Sequence, residues 1–102
     1  MIQVIKVTGE SLSPFLLSGD YVVVLELPKS RLRLRIGDLI VFQHPVYGRM
    51  IKRLDAVENG GEELFVVGFH PESTDSRQFG LIPRRWVTGK VIAQIKKPLK
   101  AR

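Results

Sequence analysis

Apolar residues along this chain occur in short runs that are separated by glycine, proline and other turn-forming residues. Several runs are rich in β-branched side chains, and some alternate apolar with polar positions, both of which are typical of β-strands. The predicted strands cover residues 2–7, 21–26, 38–42, 49–57, 64–67 and 87–95. This spacing predicts a mainly β fold, either a compact antiparallel β sandwich or a partly open barrel.

Turn-forming residues divide the predicted strands. The turns fall at residues 19–20, 37–38, 45–48 and 59–61. The last of them is predicted to be the tip of a hairpin. Helix is limited to one or two short turns, at residues 11–17 and 83–86. Because no repeat or linker is present, we expect residues 1–102 to form one domain, with a frayed basic tail at residues 95–102.

The composition narrows the class of protein. A chain of 102 residues is expected to form one hydrophobic core, and 44% hydrophobic and 25% charged residues are typical of a folded globular protein. The absence of cysteine excludes disulfides, thiolate metal sites and cysteine nucleophiles. No apolar run approaches the ~20 residues of a membrane span, and residues 1–7 lack the pattern of a secretory signal. We therefore expect a cytoplasmic protein without a membrane anchor.

A formal net charge of +6 raises the alternative of nucleic-acid binding. Basic residues are concentrated at Arg31, Arg33 and Arg35, which alternate with leucine, and in residues 96–102. We interpret the first cluster as the solvated side of a strand or loop and the second as a chain terminus. No aromatic residues are interleaved with these clusters to stack on bases, so nucleic-acid binding is not expected.

Histidine is the commonest base for a serine nucleophile, and the chain has only His44 and His70. Each precedes a proline in a predicted turn, and no feature of the sequence places either beside a serine. We interpret both as loop histidines near the surface. Two isolated histidines without cysteine also lack the ligand spacing of a zinc or iron centre, so we predict no metal site and no cofactor.

Lysine can replace histidine as the base when its amine is neutral. A free lysine has a pKa of about 10.4, but burial can lower that pKa by up to ~3–5 units because desolvation penalises the ammonium form. On a strand, Lys52 shares a face with Met50 and Leu54. The same pattern suits a lysine whose stem crosses apolar surface while its charge stays in water, which is the commoner case.

Ser11 is the candidate nucleophile. It follows a predicted strand and Gly9, at the start of a predicted helical turn. A serine at such a junction is exposed, and the free amides that open the turn can stabilise a developing oxyanion. When this segment is considered alone, a plain helix cap is the better interpretation.

Five short segments match, in order, the conserved boxes of one group of peptidases. They are residues 9–14 (GESLSP), 19–24 (GDYVVV), 37–42 (GDLIVF), 51–53 (IKR) and 73–77 (STDSR). The first resembles the G-x-S-M-x-P nucleophile box and the last the S-x-D-S-R box of signal peptidases. Together they resemble the serine/lysine peptidase clan of type I signal peptidases and self-cleaving SOS repressors, whose catalytic domains have the β fold predicted above. One box would be a coincidence, whereas five in order are a strong signal.

The resemblance implies a role for each matching residue. Ser11 would be the nucleophile, its backbone amide would contribute to the oxyanion hole, and Lys52 would be the base that later protonates the leaving amine. Ser73 would orient the lysine through a hydrogen bond. Asp75 and Arg77 would form a structural ion pair that also engages Arg53.

Two segments depart from the clan's pattern. Leu12 stands where the clan has methionine, a near-isosteric change that is expected to cost little. Residues 68–70 (GFH) stand where signal peptidases have G-D-N, so the resemblance assigns no geometry to this loop and no role to His70.

Size points to one group within the clan. The stretch 54–67 is too short for the extra β domain of large signal peptidases, and the DNA-binding head of the repressors is not seen. The chain most resembles the maturation proteases of nickel-containing superoxide dismutase, which implies a soluble pro-superoxide dismutase as substrate and nickel bound by that substrate. A signal peptidase-like protease for another precursor is one alternative. A non-catalytic basic β domain that binds an acidic partner or nucleic acid is the other.

Overall fold

A computed structural model describes residues 1–9, 12–13, 15–28 and 32–96. These residues form a seven-stranded antiparallel sheet in the order β1-β2-β7-β3-β4-β5-β6, and the sheet does not close. The strands are β1 (Ile2–Lys6), β2 (Tyr21–Leu25), β3 (Leu39–His44), β4 (Gly48–Glu58), β5 (Glu63–Val67), β6 (Ile82–Pro83) and β7 (Val87–Ile95). The predicted mainly β, antiparallel fold class is confirmed.

Helical structure is confined to short segments within the described residues. The 3-10 turn Arg84–Trp86 lies within the predicted turn at residues 83–86, whereas the four-residue helix α1 (Ser76–Phe79) was not predicted. In the other predicted helical segment, the Leu16 N–H donates to the Leu12 carbonyl at 2.9 Å. The described residues of that segment form turns only.

The β4–β5 connection shows how local sequence sets the topology. Asn59, Gly60 and Gly61 have φ angles of 51°, 68° and 96°. Glycine adopts positive φ without a steric cost, and asparagine tolerates it better than most residues. The turn therefore reverses the chain between two strands that pair from Glu58 opposite Glu63.

The hydrophobic core has two parts that meet at β3. Leu39 and Val41 belong to a cluster with β1, β2 and the residues after Gly9, while Ile40 and Phe42 belong to a cluster with β4, β5 and β6. Because successive side chains of a strand point to opposite faces, β3 is buried on both sides. This accounts for its continuous apolar sequence. It also places the neighbouring strand β4 against the second cluster.

The end of the described chain is attached to the sheet. Ile95 was predicted both as the end of the strand 87–95 and as the start of the frayed tail, and it pairs with Tyr21 as the last residue of β7. The amine of Lys96 donates to the Phe15 carbonyl and lies 3.4 Å from Asp20 Oδ2. The rest of the predicted tail, residues 97–102, lies outside the described residues.

Candidate active site

Lys52 lies on β4, directly opposite Ile40 of β3. The two-residue period of the strand puts Lys52 on the same face as Met50 and Leu54, which pack in the second core cluster. Its side chain is only 3% exposed. Its Nζ donates a hydrogen bond to Ser73 Oγ at 3.0 Å. A lysine amine is thus held in an apolar environment with a neutral hydroxyl as its partner.

The environment of Lys52 favours the neutral amine. Burial is the largest influence and lowers the pKa of Lys52 below its usual value near 10.5, because the ammonium form loses its hydration. The negative charge of Asp75 acts in the opposite direction, and the positive charge of Arg77 reinforces the effect of burial. At a pH below the pKa of the amine, each unit by which this pKa falls raises the neutral fraction about tenfold.

Ser73 is fixed by a tightly bonded loop between β5 and α1. The side chain of Ser73 is 4% exposed, and its N–H donates to the His70 carbonyl at 3.0 Å. The Ser76 hydroxyl accepts from the Val66 N–H at 2.9 Å, which ties the start of α1 to β5. His70 contributes to the same loop, because its Nδ1 accepts from the Glu72 N–H at 3.0 Å. These bonds position the Ser73 hydroxyl against the buried face of β4, where it contacts Lys52.

Asp75 is the anchor of this loop and is fully buried. Its Oδ1 accepts from Arg77 Nε at 2.9 Å, and its Oδ2 accepts from Arg77 Nη2 at 2.7 Å and from the Gly68 N–H at 2.7 Å. Burial favours the neutral acid, but hydrogen bonds from Arg77, Gly68 and Ser73 outweigh it and hold the pKa of Asp75 well below its usual range. Asp75 also caps α1, with reciprocal bonds to Gln78.

Arg53 does not join the Asp75–Arg77 pair in this arrangement. Its guanidinium lies over the ring of Phe69, 4.8 Å from the ring centroid, and Nη2 is 3.5 Å from Asp55. The ring of Phe69 is in turn 5.2 Å from that of Phe15. The loop segment to which the resemblance assigned no geometry therefore supplies an aromatic surface for Arg53. No feature of the sequence indicates this contact, because the two residues meet only through the fold.

An open cleft of about 390 Å³ lies beside Lys52. One wall consists of residues 5–9 and Leu12, and the other consists of Tyr47 and residues 49–52. Both walls have strand edges that pair with no other described strand: β1 pairs only with β2, and β4 pairs with β5 only from Arg53 onward. A peptide in extended conformation can form backbone hydrogen bonds with such edges.

Ser11, the candidate nucleophile, and its backbone amide lie outside the described residues. Gly9 and Leu12, the nearest described residues on either side, line the same cleft as Lys52. The two ends of this short segment are therefore located, and both lie at the candidate site.

The histidines have structural contacts. His44 Nδ1 accepts from the N–H groups of Val46 and Tyr47, and its ring packs against those of Tyr47, Phe79 and Trp86. Across the described ranges, no cluster of histidine, aspartate and glutamate is arranged to hold a metal ion. Nor does any helix in the described part of the chain have the length and apolarity needed to cross a membrane.

The fold and this site define a class: a small antiparallel β protein with a buried lysine amine beside an open, strand-edged cleft. Comparison with protein-family models and with curated protein sequences finds no match. The resemblance to serine/lysine peptidases therefore depends on the five segments and their order.

Proposed function

We propose that this protein is a serine endopeptidase that uses Ser11 as nucleophile and Lys52 as general base. The observation that carries the proposal is the environment of Lys52. Its amine is buried, hydrogen-bonded to a neutral hydroxyl, and has a lowered pKa beside a cleft suited to an extended peptide. An exposed lysine would be almost entirely protonated near neutral pH and could not accept a proton.

The reaction follows the ordinary course of acyl transfer. The substrate binds in the cleft as an added strand, which presents one carbonyl carbon to the Ser11 hydroxyl. Neutral Lys52 accepts the Ser11 proton as Oγ attacks this carbon, and the Ser11 amide stabilises the oxyanion. Lys52 then protonates the leaving amine, which gives an acyl-enzyme. Water then attacks the acyl carbon while Lys52 accepts a proton from the water. The bond between this carbon and Ser11 Oγ breaks, Lys52 returns the proton to Oγ, and the acid product leaves.

Asp75 and Arg77 support the base indirectly. An unpaired carboxylate near Lys52 would favour the ammonium form and make the lysine a poor base. Arg77 binds both oxygens of Asp75, so its positive charge offsets part of the effect of the carboxylate on Lys52. The Ser73 hydroxyl then accepts from Lys52 and leaves the lone pair of the amine for proton transfer.

The substrate is proposed from the resemblance, as the propeptide of a soluble precursor, with pro-superoxide dismutase first. The purified protein is mixed with this precursor and the products are identified by mass spectrometry. We expect one cut that frees the mature N-terminus, and its loss in Ser11→Ala and in Lys52→Met. Lys90→Met, a lysine outside the cleft, is the matched control and retains cleavage.

Cleavage that persists in Ser11→Ala contradicts the assignment of the nucleophile. A precursor that stays intact has two explanations, a wrong precursor or a wrong activity, and a mixed peptide library separates these two. If only the named precursor is wrong, library peptides are still cut and the cutting depends on Lys52. If the activity itself is wrong, no peptide is cut, and a non-catalytic peptide-binding domain becomes the better assignment.

A further inference from the structure

Besides the buried Lys52, two exposed basic residues line the cleft without a carboxylate partner among the described residues. Lys6 lies at the end of β1 on one wall, and Arg49 lies near the start of β4 on the other. Both side chains are exposed. Elsewhere, Arg53, Arg77, Lys90 and Lys96 each form an ion pair with an aspartate. The described lining of the cleft contains no acidic residue at all.

The buried Lys52 is a third basic residue of the lining, and the other described members are uncharged, with Ile5, Val7, Leu12 and Ile51 among them. A positive charge on each wall, with no carboxylate in the described lining to offset it, creates a local positive potential between the walls. Such a potential attracts negative side chains and strengthens their binding at low salt. The net charge of +6 acts in the same direction at longer range.

We propose that the cleft selects peptide segments that carry acidic side chains, with Lys6 and Arg49 as the residues that determine this specificity. The proposal builds on the proposed function, because it names the substrate class of the same site. The open edges of β1 and β4 favour a peptide over a nucleic acid, since they offer backbone donors and acceptors to an extended chain. The acidic residues bind beside the scissile bond, one toward each wall.

Binding is measured first in the Lys52→Met variant, because this variant is not expected to cleave the peptides. Two fluorescent peptides of identical length are compared, one with aspartate and glutamate and one with asparagine and glutamine at the same positions. We expect the acidic peptide to bind roughly three to thirty times more tightly at low salt, from two exposed ion pairs. This preference decreases as salt screens the charges.

A charge-matched pair of variants locates the effect. In the Lys52→Met background, Lys6→Gln with Arg49→Gln removes two charges from the cleft, and Arg33→Gln with Arg85→Gln removes two exposed charges elsewhere. The first pair is expected to abolish the preference and the second to leave most of it. Equal binding of the two peptides, an equal effect of the two pairs, or stronger competition by a single-stranded oligonucleotide overturns the proposal.

Cleavage by the unaltered protein completes the test. The acidic peptide is expected to show the higher kcat/KM, mainly through a lower KM. If both peptides are cut equally well, the acidic preference is wrong while the peptidase assignment stands. If neither is cut but the acidic one binds through Lys6 and Arg49, the preference stands and the peptidase assignment fails.

Discussion

Replacing Lys52 by methionine tests the proposed role of this residue as a buried base, and no substrate is needed. The change removes the amine but keeps a side chain of similar length among Met50, Leu54 and Ile40. It deletes the hydrogen bond to Ser73, whose loss costs about 0.5–1.5 kcal/mol. It also removes the cost of burying an ammonium group, about 1.4 kcal/mol for each unit by which the pKa is lowered. We expect Lys52→Met to be the more stable protein at neutral pH if that shift exceeds about one unit.

The stability difference between the unaltered protein and Lys52→Met is expected to change with pH in one direction. The folded protein has a lowered Lys52 pKa, whereas the unfolded chain has the usual value near 10.4. Between these two values the unfolded chain holds a proton that the folded protein lacks, so the stability of the unaltered protein rises with pH. The advantage of Lys52→Met is therefore largest below the folded pKa. It declines by about 1.4 kcal/mol per pH unit across that window.

Denaturant unfolding of both proteins between pH 6 and pH 10.5 measures this difference. Lys90→Met, which removes an amine bonded to the Arg33 carbonyl outside the cleft, controls for the loss of a lysine. Taking the difference between proteins cancels the titration of groups that they share. A stability difference that stays constant over the whole range would refute the lowered pKa and, with it, the assignment of Lys52 as base.

Three further variants test the site and the fold. Arg77→Met leaves the buried Asp75 charge unpaired and raises the pKa of Lys52, so the pH profile of kcat/KM is expected to shift toward alkali. Arg85→Met is the control, and an unshifted profile in Arg77→Met contradicts the prediction. Ser73→Ala removes the acceptor for Nζ and lowers kcat by about tenfold, whereas an unchanged kcat excludes that role. Gly89→Ala places Cβ 2.7 Å from the Leu25 carbonyl, so unfolding experiments are expected to show a loss of roughly 1–3 kcal/mol; an unaltered midpoint contradicts the close β2–β7 contact.

The strands were predictable because alternation and β-branched runs are local features. Lys52 was placed on an apolar-flanked face from its two-residue spacing to Met50 and Leu54, and the structure puts it there. The depth of its burial depends on Ile40 of another strand, which no local pattern contains. The strand β6 (Ile82–Pro83) was not predicted, because two residues are too few to show the alternation of apolar and polar positions that indicates a strand.

The loop after β5 shows a different limit. The STDSR segment indicated which residues belong together, but their contacts depend on distant backbone. The Ser73 hydroxyl meets an amine 21 residues away, and Asp75 accepts from an N–H seven residues away. The four residues of α1 are too few for a helical pattern, and their helix is set by the capping bonds of Asp75. Such contacts follow from the packed fold and not from spacing along the chain.

The amine of Lys52 and the carboxylate of Asp75 are both buried, yet each has a different hydrogen-bond partner. An amine and a carboxylate that share a buried region normally attract, and this attraction would keep the amine charged. Here Lys52 bonds to a neutral hydroxyl, and Arg77 holds both oxygens of Asp75. In the described part of the chain, Lys52 forms no ion pair, so burial dominates its pKa. Burying this amine lowers stability, while the bonds of Asp75 to the backbone and to Arg77 add stability in the loop that carries Ser73. Arg77 thus links the two effects, because one guanidinium both stabilises the loop and helps to lower the pKa of Lys52.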